Sequence, residues 1–328
     1  MERKGIVYGV VLGLLVVFSL LCVASSPMAQ TEPYPNKTVT IIVPWAAGGS
    51  SDLAGRMVAK MLSEVWKQPV IVLNQPGASG VVGSLKLAGA EPDGYTLGLL
   101  STAVQTTQYT SPNPTDRHAY TYISGVNFDC FTMTVRSDSP WKNLKEYLDY
   151  AKGNPAKVTH ASSGVSATDK LVFIALTRKA AVQMTDVPFE GYSGVLTALL
   201  GKKVTSVSAT LSTIVPYLKS GEMRVLAVSS DKRSPQYPDI PTFREAGVDL
   251  SWISWNGILG PKGIPAERVA SIQAAMDKAF AVKEWKDYLA SSNLQLFPLK
   301  GDQFKSYVDS LDPTYKETIE AAGLMRAK

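Results

Sequence analysis

Val43-Pro44-Trp45-Ala46-Ala47-Gly48-Gly49-Ser50-Ser51-Asp52 joins a β-branched strand to an amphipathic helix through a glycine-paired turn poor in large side chains. The strand reads as Thr38 to Val43. Downstream, Leu53, Met57, Met61 and Val65 recur at helical spacing with Val58, Leu62 and Trp66 beside them, the stripe of a core-facing helix. Ser50, Ser51 and Asp52 are all N-cap types, and Gly48 and Gly49 let the backbone approach a ligand closely. The first N–H groups and the positive dipole end of such a helix face a negative group, so the turn predicts an anion seat. Taken alone, it also serves as a plain strand–helix connection.

The sequence around it supplies companions. Val70 to Leu73 reads as a second strand, Asn74 to Gly80 as a turn, Val81 to Ala90 as a helix, and Tyr95 to Ser101 as a third strand after Pro92-Asp93-Gly94. This β-α-β-α-β order with short connections predicts a parallel sheet covered by helices. Asn74-Gln75-Pro76-Gly77-Ala78-Ser79-Gly80-Val81-Val82-Gly83 then opens on the same sheet edge as the first turn. Tyr120 to Val135 reads as extended chain interrupted at Asn127, Phe128 and Asp129, where the chain is expected to cross into a second lobe.

A second alternation follows: helix 144–151, strand 157–161, helix 168–179, strand 182–187, helix 193–200, strand 203–208, helix 213–219 and strand 224–228. Pro235, Pro238 and Pro241 mark a loop, Leu250 to Gly260 reads as the return crossing, and helices at 266–281, 284–291 and 302–322 complete the first lobe. The expected fold is therefore α/β, two doubly wound lobes with a ligand cleft between them. Lobe 1 takes residues 30–127 and 254–328, and lobe 2 takes 128–253. Ligands of such sheets bind at the carboxyl ends of the strands. Two further small-residue turns lie there in lobe 2, Ser162 to Thr168 and Phe189 to Gly194.

Residues 1–29 read as an export signal: Arg3 and Lys4, an apolar run from Ile6 to Val23, then small residues, with cleavage after Ala24 or Ala29. Lipidation at Cys22 ranks below simple cleavage, because Leu20-Leu21 precedes it. The whole chain holds 33 Lys and Arg against 28 Asp and Glu; without Glu2, Arg3 and Lys4 the balance is 31 to 27, only mildly basic. No basic block suggests nucleic acid, and no second apolar span suggests an integral membrane protein. Cys130 is the sole cysteine after the signal and reads as a small buried apolar residue.

Enzyme readings fare poorly. His118 and His160 are the only histidines and lack zinc-site spacing, Ser163 has no evident base, and no nucleophile elbow, P-loop lysine or dinucleotide fingerprint occurs. No cofactor or metal is expected.

From about Tyr34 to the C-terminus the chain resembles the tripartite tricarboxylate transporter substrate-binding proteins, the Bug receptor family. The resemblance rests on Tyr34-Pro35-Asn36-Lys37, the stretch from Ile42 to Asp52, Asn74 to Gly80, Pro92 to Leu97, Val187-Pro188-Phe189-Glu190-Gly191, Leu226 to Ser229, and Pro238 to Thr242. It implies a periplasmic receptor, of the type II binding-protein kind, that closes on a small carboxylate. It also implies delivery to a two-component membrane permease of the tripartite tricarboxylate type, with no reaction and the receptor a monomer. A liganded receptor that contacts a sensor kinase instead is the alternative.

Carried over by position, the resemblance places one carboxylate against Trp45, Ala47, Gly48, Gly49, Ser50 and Asp52 and against Ala78, Ser79, Gly80 and Gly83. Donors of the second lobe would be Ser163, Gly164, Ser166, Tyr192, Ser193 and Thr210. Amino-acid-binding relatives place an acid where this chain has Ala209, so a dicarboxylate or aromatic carboxylate is favoured. Lys170 stands where many members have histidine, and either reaches a second carboxylate or pairs with Glu190.

Overall fold

Five strand-and-helix elements build the edge of the first sheet in the expected order. They are β1 (Val39–Val43), α1 (Ser50–Trp66), β2 (Val70–Asn74), α2 (Val81–Ala88) and β3 (Thr96–Ser101). The computed structural model describes residues 34–155, 157–164, 167–189 and 191–327, so the expected signal segment lies outside the described residues. β1 pairs in parallel with β2, Val39 opposite Val70, and with β3, Thr40 opposite Thr96. Both turns that follow β1 and β2 therefore open on one edge.

The stripe of α1 differs from the expected one. Ala54, Val58, Met61 and Leu62 are buried, whereas Leu53 is 52% exposed. Gly55 explains the rotation: a Cβ there would lie 2.8 Å from Val43 Cγ2, so the helix sits on the sheet along its small-residue side.

After β3 comes a helix that periodicity did not mark, α3 (Ala103–Thr110), and then β4 (Tyr120–Cys130) and β5 (Thr132–Arg136). β4 runs unbroken through Asn127, Phe128 and Asp129; the chain changes sheets at Phe131 instead. The second lobe continues through α4 (Leu144–Gly153), β6 (Thr159–Ser162), α5 (Thr168–Lys179), β7 (Thr185–Pro188), α6 (Gly191–Leu200), β8 (Ser206–Val207), α7 (Leu211–Lys219) and β9 (Met223–Val228). The return is β10 (Ile253–Pro261), followed by α8 (Ala266–Ala281), α9 (Lys283–Ser291), β11 (Gln295–Leu296) and α10 (Gly301–Ala321).

Sheet order is β11-β4-β10-β3-β1-β2 in the first lobe and β7-β6-β8-β5-β9 in the second. Each sheet is mixed rather than wholly parallel. The crossing strand β4 pairs antiparallel with the returning β10, Asp129 opposite Ser254, and β5 pairs antiparallel with β8 and β9. The chain is thus a two-lobed α/β fold.

Helix α10 joins both cores. Phe304 and Val308 pack with Tyr122, Trp255 and Leu100 of the first lobe. One to three turns later, Leu311, Tyr315 and Ile319 belong to the buried cluster of Leu171, Val172, Phe173 and Trp252. The Tyr315 and Trp252 rings lie 3.9 Å apart. The segment assigned wholly to lobe 1 therefore also contributes side chains to the packing of lobe 2, with Pro313 inside the helix between Leu311 and Tyr315.

Candidate ligand-binding site

The turn after β1 is held from behind. Gly48 has φ +88°, and Gly49 caps α1 in an extended conformation without a side-chain cap, so Ser50 and Ser51 stand in the first helical turn rather than ahead of it. Buried Asp52 folds back on the turn. It accepts from Gly48 N at 2.8 Å, Arg56 Nε at 2.9 Å and Asn74 Nδ2 at 2.9 Å, while Asn74 Nδ2 also reaches Trp45 O at 3.0 Å. The hydrogen bond from Arg56, helped by those from Gly48 and Asn74, outweighs burial and holds the Asp52 carboxyl down at about 2. A donor of the turn, one residue ahead of the N-cap, is thereby spent on an internal carboxylate. The N–H groups of Ser50 and Ser51 remain, because the first turn has no intrahelical acceptor for them.

The second turn is strained. Ala78, Ser79 and Gly80 have φ of +46°, +55° and +92°, and two of the three carry a Cβ, a conformation costing roughly 1–2 kcal/mol per non-glycine residue. Packing holds it in place. A Cβ on Gly80 would lie 3.3 Å from the Trp45 ring, and one on Gly83 would lie 2.8 Å from Gln75 O and 2.9 Å from Pro44 Cα. Gly83 thus lets α2 touch both turns at once. Gly83→Ala is expected to push α2 off Pro44, lowering stability by about 1–3 kcal/mol and weakening ligand binding together, read by thermal melts and by titration. A variant that melts and binds like the wild type would remove this packing role.

These turns face a cleft of about 880 Å³. The first lobe lines it with Trp45, Ala46, Ala47, Gly49, Ser50, Ser51, Ala78 and Ser79. The end of β3 and α3 contribute Ser101, Thr102, Ala103, Thr106, Thr107 and Thr110, followed by Ser111 and Pro112. Ala167, Thr168 and Leu171 come from the start of α5, Ser254 and Asn256 from β10, and Leu324 from beyond α10. None of these side chains is ionisable. Ser51 Oγ reaches Asn256 Oδ1 at 3.2 Å, and Asn256 Nδ2 donates to Asn127 Oδ1 at 2.8 Å, tying the helix start to the crossing strands.

Of the residues singled out in the first lobe, Trp45, Ala47, Gly49, Ser50, Ala78 and Ser79 line this cleft, whereas Gly48, Asp52, Gly80 and Gly83 support it from behind. The second lobe differs more. Ser163 N and Ser163 Oγ both donate to buried Asp169, each at 2.7 Å, so the expected donor is already engaged; burial pushes the Asp169 carboxyl up. Gly164 lies in the same turn. Ser193 is exposed, and the Tyr192 phenol is pushed up by burial and by the charges of Asp169 and Asp129. Thr210 caps α7, its hydroxyl 2.9 Å from Thr213 Oγ1. Ala209 is fully buried among core residues such as Val207 and Ile214. Lys170 forms its ion pair with Asp186, at 3.1 Å. Ser166 and Glu190 lie outside the described residues.

Two features had no place in the sequence reading. One is the row of hydroxyls on α3, which the rule of strand carboxyl ends could have flagged because it follows β3 directly. The other is the role of the Asp129 carboxylate, which from the first sheet accepts from Ser212 Oγ at the start of α7 and from Cys130 N at 2.8 Å. Burial pushes it up to about 6. His160 is no base for the cleft: it is buried, stacked on Phe173 at 3.9 Å, and burial lowers it to about 3. Cys130 is buried, and burial raises its thiol.

A family model described as the tripartite tricarboxylate transporter family receptor matches residues 54–324. The chain belongs to that family. The UPF0065 protein in the gbd 5′ region of Cupriavidus necator is 32% identical to this receptor over 96% of its chain and 97% of the relative. Among solved structures, a ligand-free TctC solute-binding protein from Polaromonas superposes with TM-score 0.83 at 29% identity, covering 88% of the receptor and 99% of that chain. Malate-bound MatC from Rhodopseudomonas palustris gives 0.67 at 25%, covering 87% and 100%. The receptor is thus a periplasmic solute-binding protein and not an enzyme.

Proposed function

We propose that the receptor captures a small organic carboxylate between its two lobes, one built on each sheet. The observation that carries this reading is the start of α1, whose Ser50 and Ser51 N–H groups, with strained Ser79 beside them, open on a cleft with no ionisable side chain among its described lining residues. Neutral donors at a helix start hold an anion without a counter-cation. Charge-assisted hydrogen bonds contribute roughly 1.5–3 kcal/mol each, so three or four reach about micromolar affinity. Malate in MatC supports a carboxylate as the ligand, whereas Ala209, buried in the core and absent from the cleft lining, does not choose among carboxylates.

Residues 1–29 act as the cleaved export signal, and a two-component permease of the tripartite tricarboxylate type receives the ligand from the monomeric receptor. A thermal-shift screen of mono-, di-, tricarboxylates and aromatic acids tests the first step. Stabilisation by at least one class is expected, growing with concentration. No shift with any acid, together with unaltered behaviour of Ser50→Pro, ends the carboxylate reading. Uptake into vesicles holding the permease tests the second step, and capture of a sensor-kinase ectodomain instead would redirect it.

A further inference from the structure

We propose that the cleft continues past the carboxylate seat into a second subsite along α3, one that takes the uncharged, donor-bearing tail of a long monocarboxylate rather than a second carboxylate. This rests on the carboxylate reading above and narrows its ligand class. Ala103, Thr106, Thr107 and Thr110 all line the cavity, and their spacing of three, four and seven residues puts them on one helical face. At 1.5 Å per residue that wall is about 10 Å long. The three carbon–carbon bonds of a four-carbon diacid cover only about 4 Å, close to the spacing of neighbouring Cα atoms across a trans peptide. A short diacid seated at Ser50 therefore leaves most of the wall uncovered.

Hydroxyl direction decides what the wall accepts. Thr106 Oγ1 donates to Ala103 O at 3.1 Å, Thr107 Oγ1 to Ala103 O at 2.7 Å, and Thr110 Oγ1 to Thr106 O at 3.2 Å. Ser111 Oγ donates to Asn113 O at 3.1 Å. With those protons spent on backbone carbonyls, the oxygens of Thr106, Thr110 and Ser111 offer lone pairs to the cleft, while buried Thr107 Oγ1 also lies 2.9 Å from Thr115 Oγ1. A carboxylate is acceptor-only and meets acceptors there with no cation among the described lining residues to offset it. A hydroxyl or amide N–H on the tail meets its complement. Leu171, Pro112 and Leu324 supply an apolar boundary for the methylenes or the ring between the two ends.

Matched ligands test this directly. Calorimetric titration compares diacids of four, six and eight carbons with ω-hydroxy monoacids of the same lengths, on the purified protein. The eight-carbon hydroxy acid is expected to bind at least about tenfold more tightly than the eight-carbon diacid and than the four-carbon hydroxy acid. Thr110→Trp, and separately Ser111→Trp, fill the far end, so the preference for eight over four carbons should collapse by about the same factor. Two variants at different positions guard against a folding defect in one, and melts without ligand identify such a defect. Diacids that bind as well as their hydroxy counterparts, or a length preference untouched in both folded variants, overturn the subsite while leaving the carboxylate seat intact. Failure of every acid in both series overturns the seat itself and the subsite with it.

Discussion

Asp52→Ala should lower the melting temperature by roughly 5–10 °C and reduce carboxylate affinity by about a hundredfold or more. The carboxylate is buried, yet the groups it serves belong to three segments: Gly48 in the turn, Arg56 one helical turn on, and Asn74 at the end of β2. Removing it leaves the Gly48 N–H and the Asn74 amide without their acceptor, and hydrogen bonds to a charged group contribute about 1.5–3 kcal/mol each. Arg56 is half exposed and regains water, so the net loss is nearer 2–3 kcal/mol than the sum. In a chain of this size that is a few degrees per kcal/mol. Binding suffers more than stability because the turn that loses its clamp carries Gly49, Ser50 and Ser51.

The same group sets an acid limit. Its folded value, about 2, lies below the ordinary 3.8, so its stabilisation is complete above about pH 4 and lost as pH falls toward 2. Urea midpoints at pH 6 and pH 2.5 should converge between wild type and Asp52→Ala at the lower value. If the alanine variant melted within a degree of wild type and bound ligand equally well, the clamp would have no role in the seat.

Much of the first-lobe half of the cleft is legible in the sequence because it depends on local signals. A β-branched strand, a Gly-Gly turn and a helical period specify β1, the turn and α1 within thirty residues, and six of the ten first-lobe positions singled out line the cleft. Long-range packing hid the rest. Leu53 faces outward because Gly55 draws the other side of α1 onto Val43, a contact between segments that hydrophobic period alone cannot weigh. Helix α3 escaped because its sequence, Ala-Val-Gln-Thr-Thr-Gln-Tyr-Thr, has few strong helix formers and is held by burial of Val104 and Gln105. Ser163 looked like a free donor because nothing in its neighbourhood announced that Asp169, six residues on, would take both its N–H and its hydroxyl. Asp129 was read as an interruption of a strand, whereas its carboxylate reaches across to α7 of the other lobe.

That carboxylate gives the second large expectation: Asp129→Asn should stabilise the receptor at pH 7.5 by on the order of 2–3 kcal/mol and leave it nearly unchanged at pH 4. Burial is the dominant influence on Asp129, outweighing hydrogen bonds from Ser212, Cys130 and Thr210, and moves it from the ordinary 3.8 to about 6. Each tenfold change in proton affinity is about 1.4 kcal/mol, which sets the size of the cost of keeping the group ionised. The native state holds this proton at pH values where the unfolded chain has released it. The favourable contribution is therefore complete below about pH 4 and disappears as pH rises through about 6. His160 acts in the opposite sense: buried neutral with a value near 3, it takes stability away as pH falls below its ordinary 6.5, because only the unfolded chain can charge it. The wild-type profile mixes the two, so the decisive quantity is the difference between wild type and Asp129→Asn, in which His160 cancels. Urea unfolding of both proteins at pH 4 and pH 7.5 supplies that difference. A gap that stays constant between the two pH values would mean that Asp129 is ionised throughout. Its reach from the first sheet to Ser212 would then be a standing charged tether between the lobes. A gap that opens with pH marks it as a strained contact, one that the ionised receptor gains free energy by loosening, located where β4 hands the chain from one lobe to the other.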